Sequence, residues 1–343
     1  MYPLPNPRAP RGRSRRHFVA ALALFLGALS APFGSALAAE TQANDKIVIS
    51  GASGKLASDA IRALLLRGVK LADLVLVTRT PENLASFSTH GAAVRVGDFD
   101  KPETLEPAFA GGRELLLVST NSDGDRVTQH TNAIAAARRV GIRHIVYTSF
   151  INATADNPAL IARAHQMTEE ALMRSGVQYT ILRNQLYMDS LVDEAAQALK
   201  SGGDLYTNGA RGKWAPVTRE DCAEAAAVVL TTPGHNGKIY EITGPELINH
   251  QDFAKLITEV TGRRVRAIEV DDATFMSRLL NAGMPETLVK VQASFGVAMR
   301  SNSLNIRTDA LQILLGRTPE SLRDLLVENK TRLVPPNPQL RAN

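Results

Sequence analysis

Gly51 and Gly54 close the apolar β-branched run Ile47-Val48-Ile49 and lead into a helix-forming segment, residues 59–66. A strand that ends in such a turn and passes straight into a helix is a device for holding a dinucleotide. Gly51 permits the tight turn and Gly54 lets the backbone approach a pyrophosphate. The helix N-terminus offers unpaired N–H groups and the positive end of its dipole to the phosphates. An ordinary βα turn is the competing reading, and the βα units that repeat downstream weigh against it.

Further candidates sit at the ends of strand-like runs, because ligands of an open α/β sheet bind outside the carboxyl ends of its strands. That rule picks out Gly51, Ala52, Ser53, Gly54, Lys55 and Leu56, then Thr78-Arg79, Asp98-Phe99, Ser119-Thr120-Asn121, Thr148-Ser149-Phe150 and Arg183-Asn184. The second strand decides the cofactor. A chain that prefers NAD carries an acid there for the ribose 2′-hydroxyl, whereas Thr78-Arg79 offers a guanidinium suited to a 2′-phosphate. NADPH (NADP) is the expected cofactor, with NADH bound at lower affinity; Arg79 as a solvated loop residue is the alternative. Asp98 either accepts from an adenine amino group or caps a turn.

Short-chain reductases place a Lys four residues after a catalytic Tyr on one helix face. Here Tyr147, Tyr179, Tyr187, Tyr206 and Tyr240 are followed four residues on by Ile151, Arg183, Leu191, Ala210 and Gly244. The helix that would carry the pair holds His165 instead. Its imidazole either hydrogen-bonds the nicotinamide ribose or moves a proton near neutral pH, or else packs locally. Tyr187 and Trp214 either wall a flat substrate or belong to the core.

The elements that must position these groups alternate. Strand-like runs at 46–50, 74–78, 93–97, 114–119, 144–149 and 177–182 are separated by helix-like segments, among them 102–109, 126–140 and 162–175. Such alternation predicts a doubly wound parallel sheet, an α/β Rossmann fold with right-handed crossovers. Helices near 220–230, 251–261, 272–282 and 319–328, with strands at 238–243 and 265–270, are expected to build a smaller C-terminal substrate lobe and to return elements that finish the sheet.

Residues 1–39 read differently. They hold Arg8, Arg11, Arg13, Arg15 and Arg16 and no acid, then an apolar run over 18–29, then Ser35-Ala36-Leu37-Ala38-Ala39. Basic start, short apolar middle and small-residue end make a secretory signal, and the apolar run is shorter than the ~20 residues of a membrane helix. Ser14-Arg15-Arg16-His17-Phe18-Val19 has the twin-arginine pattern used to export folded proteins. A periplasmic location is expected, with the cytoplasm as the alternative if the signal goes unused. The chain has 39 Lys and Arg against 34 Asp and Glu, and without the five leader arginines the balance is even. The basic pI therefore belongs to the leader and argues against a nucleic-acid partner. Cys222 is the sole cysteine, which excludes a disulfide and a cysteine-based metal cluster. The expected organisation is a signal at 1–39, an NAD(P)-binding domain at 45–184, a substrate lobe at 185–330 and a disordered tail at 335–343.

The turn 51–57, Leu115-Leu116-Leu117-Val118-Ser119, Tyr147-Thr148-Ser149, His165 with Thr168-Glu169, and Tyr179-Thr180-Ile181-Leu182-Arg183-Asn184 together resemble the NmrA-like atypical short-chain dehydrogenases. Within that family they are most similar to the type 2 NAD(P)H:quinone oxidoreductases and the triphenylmethane reductases, over residues 46–326. The resemblance implies an NADPH-binding Rossmann domain, a small second lobe and two-electron reduction of quinones or similar flat acceptors by a monomer or homodimer. It implies Gly51, Gly54, Lys55 and Leu56 as phosphate-loop residues, Arg79 at the 2′-phosphate, and Ser119 with Thr120 near the adenosine and ribose. It also places His165 and Asn184 beside the nicotinamide. Three departures stand out: Ala57 replaces the last glycine of the turn, Gln185-Leu186-Tyr187 differs from the relatives' pattern, and the export signal, the largest of them, would carry a reductase away from the cytoplasmic supply of free NADPH. The family also contains nucleotide sensors that bind NADP without turnover, so a regulatory protein is the alternative. A sugar-nucleotide or isoflavone-type reductase is weakened by the missing Tyr and Lys.

Overall fold

The strand runs are apolar along their length instead of alternating, as strands covered on both faces must be. A computed structural model describes residues 45–120 and 125–334. The leader 1–39, Asn121 and the tail 335–343 lie outside the described residues. Nine strands form: β1 (Lys46–Ser50), β2 (Leu74–Thr78), β3 (Ala93–Val96), β4 (Gly112–Leu117), β5 (His144–Phe150), β6 (Gln178–Asn184), β7 (Asp204–Thr207), β8 (Lys238–Ile242) and β9 (Arg266–Glu269). Seven of them make one parallel sheet in the order β3-β2-β1-β4-β5-β6-β8. The chain starts in the middle, winds outward to β3, and returns past β1 to wind the other way. β1 and β4 are neighbours at that reversal, so a crevice opens beyond their carboxyl ends.

The helices are α1 (Lys55–Leu66), α2 (Ala85–Thr89), α3 (Leu105–Phe109), α4 (Arg126–Arg139), α5 (Ala162–Arg174), α6 (Asp189–Lys200) and α7 (Arg219–Thr231) in the first two-thirds. They are followed by α8 (His250–Thr261), α9 (Asp272–Asn281), α10 (Glu286–Arg300), α11 (Ala310–Leu315), α12 (Leu322–Glu328) and α13 (Lys330–Leu333). Alternate strand residues face opposite helical layers. Ile49, Leu76, Leu116 and Val146 pack with Ile61 and Leu64 of α1 and Ala223 and Ala226 of α7. Val48, Val75, Leu115 and Ile145 pack with Phe109, Ala133, Ala137 and Leu172 of α3, α4 and α5. A third core joins Met188 and Val192, Phe253 and Ile257, Trp214, Leu322 and Leu326. Each Val, Leu, Ile, Phe or Met side chain so buried contributes about 1.5–3 kcal/mol, and each alanine less.

The structure departs from the sequence expectation at several elements, with α6, α11 and α13 among the helices not expected, and three departures have a clear physical cause. The first helix begins at Lys55, four residues before the periodic pattern starts, so its N-terminus abuts the glycine turn. The strand near 265–270 forms as β9, but it pairs in parallel with the unforeseen β7 in a separate two-stranded sheet; of the two returning strands, β8 alone joins the main sheet. Third, α10 was not foreseen. Val289, Val291, Val297 and Gly296 are poor helix formers, and tertiary packing overrides them. Val289, Ala293 and Met299 are buried, and any Cβ at Gly296 would run into the Asn208 amide. That amide donates to the Ala293 carbonyl (2.9 Å) and to Asp272 Oδ1 (2.7 Å), tying α10 and α9 to the end of β7.

Candidate functional site

Gly51 adopts φ +60°, a backbone that favours glycine, and the Gly54 amide donates back to its carbonyl at 2.8 Å. A Cβ on Gly54 would sit 3.1 Å from that carbonyl, so a larger residue would crowd the turn. Most other long helices of the fold have a capping side chain or an acid in their first turn; α1 has neither. Its N-terminus keeps free donors and an uncompensated positive dipole end, the arrangement that binds phosphate. The loop opens on a cavity of about 670 Å³, lined by Gly51, Ser53, Gly54, Lys55 and Leu56 on one side. The ends of the next strands line the rest: Thr78, Arg79 and Thr80, then Asp98, Phe99 and Asp100, then Ser119 and Thr120.

At the end of β2 three hydroxyls converge. Ser53 Oγ lies 2.9 Å from Thr78 Oγ1, which is 3.3 Å from Thr80 Oγ1. Arg79 projects from this cluster into solvent at the cavity rim and makes no hydrogen bond or ion pair with the described residues. Asp98 takes the turn role, its Oδ1 accepting from the Asp100 amide at 3.1 Å. Thr120 is held from two sides: its hydroxyl donates to Gln129 Oε1 (2.7 Å), and its carbonyl accepts from Arg126 Nε (2.9 Å).

Of the other described sequence candidates, all but Tyr187 stand away from the cavity lining. Ala52 is fully buried and its amide is spent on the Val77 carbonyl (3.0 Å), so it turns its back on a ligand. Ser149 donates to Glu169 Oε1 (2.6 Å), and Phe150 stacks on Phe295 with ring centroids 5.9 Å apart. His165 is buried beside both, its Nδ1 2.7 Å from the Tyr147 hydroxyl and its ring 6.1 Å from that of Phe150. Asn184 donates to the Tyr187 hydroxyl (3.1 Å), while its buried Oδ1 has no partner. Tyr187 lines the cavity. Trp214 does not: it is a core residue, 1% exposed and packed 4.8 Å from the His250 ring.

Arg219 was missed by sequence reasoning. It lines the cavity at the start of α7, donates to Asp189 Oδ1 (2.8 Å), and holds its guanidinium 5.3 Å from the Tyr187 ring. No local motif marks it, because the chain folds back 160 residues to bring it there. Gln129 likewise reaches the cavity from α4 and bridges Thr120 to Asp100. A second cavity, about 760 Å³, lies at the opposite, amino ends of the strands among Glu114, His144 and His235. It lacks a glycine turn leading from a strand into a helix N-terminus and is on the wrong side of the sheet for a dinucleotide. Among the described residues no cluster of His, Cys, Asp and Glu fits a metal ion, and no helix is long and apolar enough to cross a membrane.

Burial controls the histidines. It pushes His130 down to about 3, with the Arg126 guanidinium adding to the effect, and it pushes His250 down to about 4. His165 is held well below its ordinary 6.5, by burial first and by Arg126 and His130 next. A proton exchanged through His165 near neutral pH is therefore not available: the ring is neutral. These depressed values contribute stability that is complete above pH ~6.5 and is lost as pH falls toward the folded-state values. Melting temperature is expected to drop between about pH 6.5 and 5, the three histidines outweighing the opposite contribution of Glu194 and Glu320, whose carboxyls burial pushes up to about 7, and His250→Gln should flatten that slope. Circular dichroism melts across the window check it; a level wild-type profile would refute it.

The fold and the turn define an NAD(P)-binding Rossmann protein. A family described as NAD(P)H-binding matches residues 51–233. Quinone oxidoreductase 2 of Escherichia coli strain K12 is 33% identical over 278 residues, spanning 81% of this chain and 96% of that protein. An NAD(P)H azoreductase of Xenophilus azovorans is 30% identical, spanning 71% of this chain and 83% of its own length. The crystal structure of Citrobacter sp. triphenylmethane reductase complexed with NADP(H) superposes with a TM-score of 0.78 at 32% identity, covering 83% of this chain and all of that one. The chain belongs to the NAD(P)H-binding NmrA-like family.

Proposed function

We propose that the protein is an NADPH-dependent oxidoreductase that delivers a hydride to quinone-like, flat electrophilic acceptors. The observation that carries the reading is the cavity between the uncapped α1 N-terminus and the unpartnered Arg79. The residues present fit NADPH. The 51–56 turn and α1 receive the pyrophosphate, with Lys55 and Arg219 as flanking cations. Arg79, beside the Ser53 and Thr80 hydroxyls, receives the 2′-phosphate that NADH lacks. Asn184 Oδ1, a buried acceptor without a partner, suits the amide hydrogens of a nicotinamide carboxamide.

Bound NADPH supplies the hydride; the protein supplies placement and a dry surface. Phe150 and Phe295 form a stacked aromatic platform beside His165, matching the planar acceptors named for the quinone, azo and triphenylmethane reductases. Tyr187, braced by Arg219 and Asn184, closes the side toward the cofactor cavity. The test is NADPH oxidation by the purified protein against benzoquinones, naphthoquinones, azo dyes and triphenylmethane dyes. Acceptor-dependent oxidation, faster with NADPH than with NADH, is expected. Tight NADP binding with no turnover on any acceptor would replace this reading with that of a nucleotide sensor.

A further inference from the structure

A buried chain of side chains runs from the loop after β4 to His165. The Thr120 amide donates to His130 Nε2 at 3.1 Å. His130 Nδ1 lies 3.0 Å from Thr168 Oγ1 and 3.3 Å from the Tyr147 hydroxyl, and that hydroxyl lies 2.7 Å from His165 Nδ1. A backbone amide only donates, so His130 Nε2 is an acceptor and the neutral ring carries its proton on Nδ1. His130 therefore accepts nothing from Tyr147. The Thr168 hydroxyl donates to the Ala164 carbonyl at 2.9 Å. The Thr168 oxygen takes the His130 Nδ1–H, and of the groups within hydrogen-bond distance of the phenol oxygen His165 Nδ1, at 2.7 Å, is the acceptor that remains for the phenol hydrogen. Were that nitrogen protonated, the fully buried phenol would keep an unpaired donor, a costly arrangement. The His165 proton thus sits on Nε2. That atom has no protein partner, yet the only unpartnered side-chain atoms wholly enclosed among the described residues are Arg113 Nε and Asn184 Oδ1. Nε2 accordingly reaches open space.

We propose that Thr120, His130 and Tyr147 are positioning groups that lock His165 in the Nε2–H tautomer, a neutral hydrogen-bond donor to the acceptor oxygen that gains charge. The placement of the acceptor rests on the proposed function; the tautomer lock does not. The charged and titratable groups around the chain agree with it. Burial and the Arg126 guanidinium keep both imidazoles neutral, and burial pushes the Tyr147 phenol up against the Thr168 hydroxyl and Arg126, which pull it down. The chain ends on an amide that gives up no proton, so it relays none. The hydride brings two electrons and a hydrogen to the acceptor, the oxygen takes up the negative charge, and solvent water supplies the balancing proton. His165 stabilises that charge by donation alone, as a preorganised neutral electrophile. The loop that carries Thr120 also lines the cofactor cavity, so the same segment faces the dinucleotide and fixes the donor.

The test is two-bond hydrogen–nitrogen correlation spectroscopy of the full chain labelled with ¹⁵N-histidine, without added cofactor. Loss of one set of signals in His165→Gln assigns the ring. An unprotonated Nδ1 and a protonated Nε2 are expected in the wild type, and Tyr147→Phe should move His165 toward a mixture of tautomers. In the NADPH–naphthoquinone assay Tyr147→Phe should lower kcat about tenfold with the KM for NADPH unchanged. A wild-type His165 protonated on Nδ1 overturns the lock, as does a Tyr147→Phe spectrum identical to the wild type. A shifted tautomer with unchanged kcat upholds the lock and refutes the placement of the acceptor beside His165.

Discussion

Arg79→Ala is expected to weaken NADPH binding about ten- to 150-fold and to leave NADH binding nearly unchanged. The magnitude is that of one charge-assisted contact to a phosphate, about 1.5–3 kcal/mol. Selectivity follows from chemistry: the two nucleotides differ only at the 2′ position, and Arg79 is the basic residue standing at the end of β2. Because it is exposed and makes no hydrogen bond or ion pair with another described residue, its removal should not shift the melting temperature of the nucleotide-free protein. The site is exposed, so the NADPH advantage should shrink as salt is raised, as screening requires. Calorimetric or fluorescence titration with both nucleotides checks this. Equal losses for NADPH and NADH would refute the 2′-phosphate assignment, and no loss for either would assign Arg79 to the solvated loop.

That prediction was legible in the sequence because the residues it uses are local. A strand, a glycine turn and a helix start lie within twenty residues, and their geometry follows from backbone physics. The parallel sheet was equally legible, since its continuous apolar runs admit few other uses. What escaped notice depends on distant packing. Arg219 reaches the cavity only because α7 folds back against α1, and α10 is helical despite its valines because Gly296 can approach Asn208. His165 was found by what its helix lacked, and of its alternative readings burial weighs against proton exchange near neutral pH. Nothing local shows that Tyr147, His130 and Arg126 surround it. Ala52 was misplaced for a related reason: a loop position says which residues are near a phosphate, not which amide is already spent on a neighbouring strand.

Arg183→Met is expected to destabilise the protein by about 3–5 kcal/mol, lowering its melting temperature by about 6–20 °C. The Arg183 guanidinium donates to both oxygens of Glu169, at 2.9 and 2.6 Å, and to Glu241 Oε1 at 2.9 Å. Glu169 is 2% exposed and has one other partner, the Ser149 hydroxyl. Methionine keeps the aliphatic stem but strands that carboxylate away from water, and an uncompensated buried charge is what makes the loss large. Removing both partners should cost much less. Glu169→Leu added to Arg183→Met is expected to recover most of the stability, because the remaining Glu241 is partly solvated and still accepts from the Asn152 amide. Glu169 also follows His165 by one helical turn, so the network pins α5 at the level where His165 meets Phe150. Arg183→Met should therefore lower kcat even where the protein remains folded, while the double variant regains stability without regaining full activity. Thermal melts and quinone-dependent NADPH oxidation on the three proteins separate the two effects. An Arg183→Met melting temperature within about 2 °C of the wild type, less than 1 kcal/mol on this scale, would show that the pair contributes little.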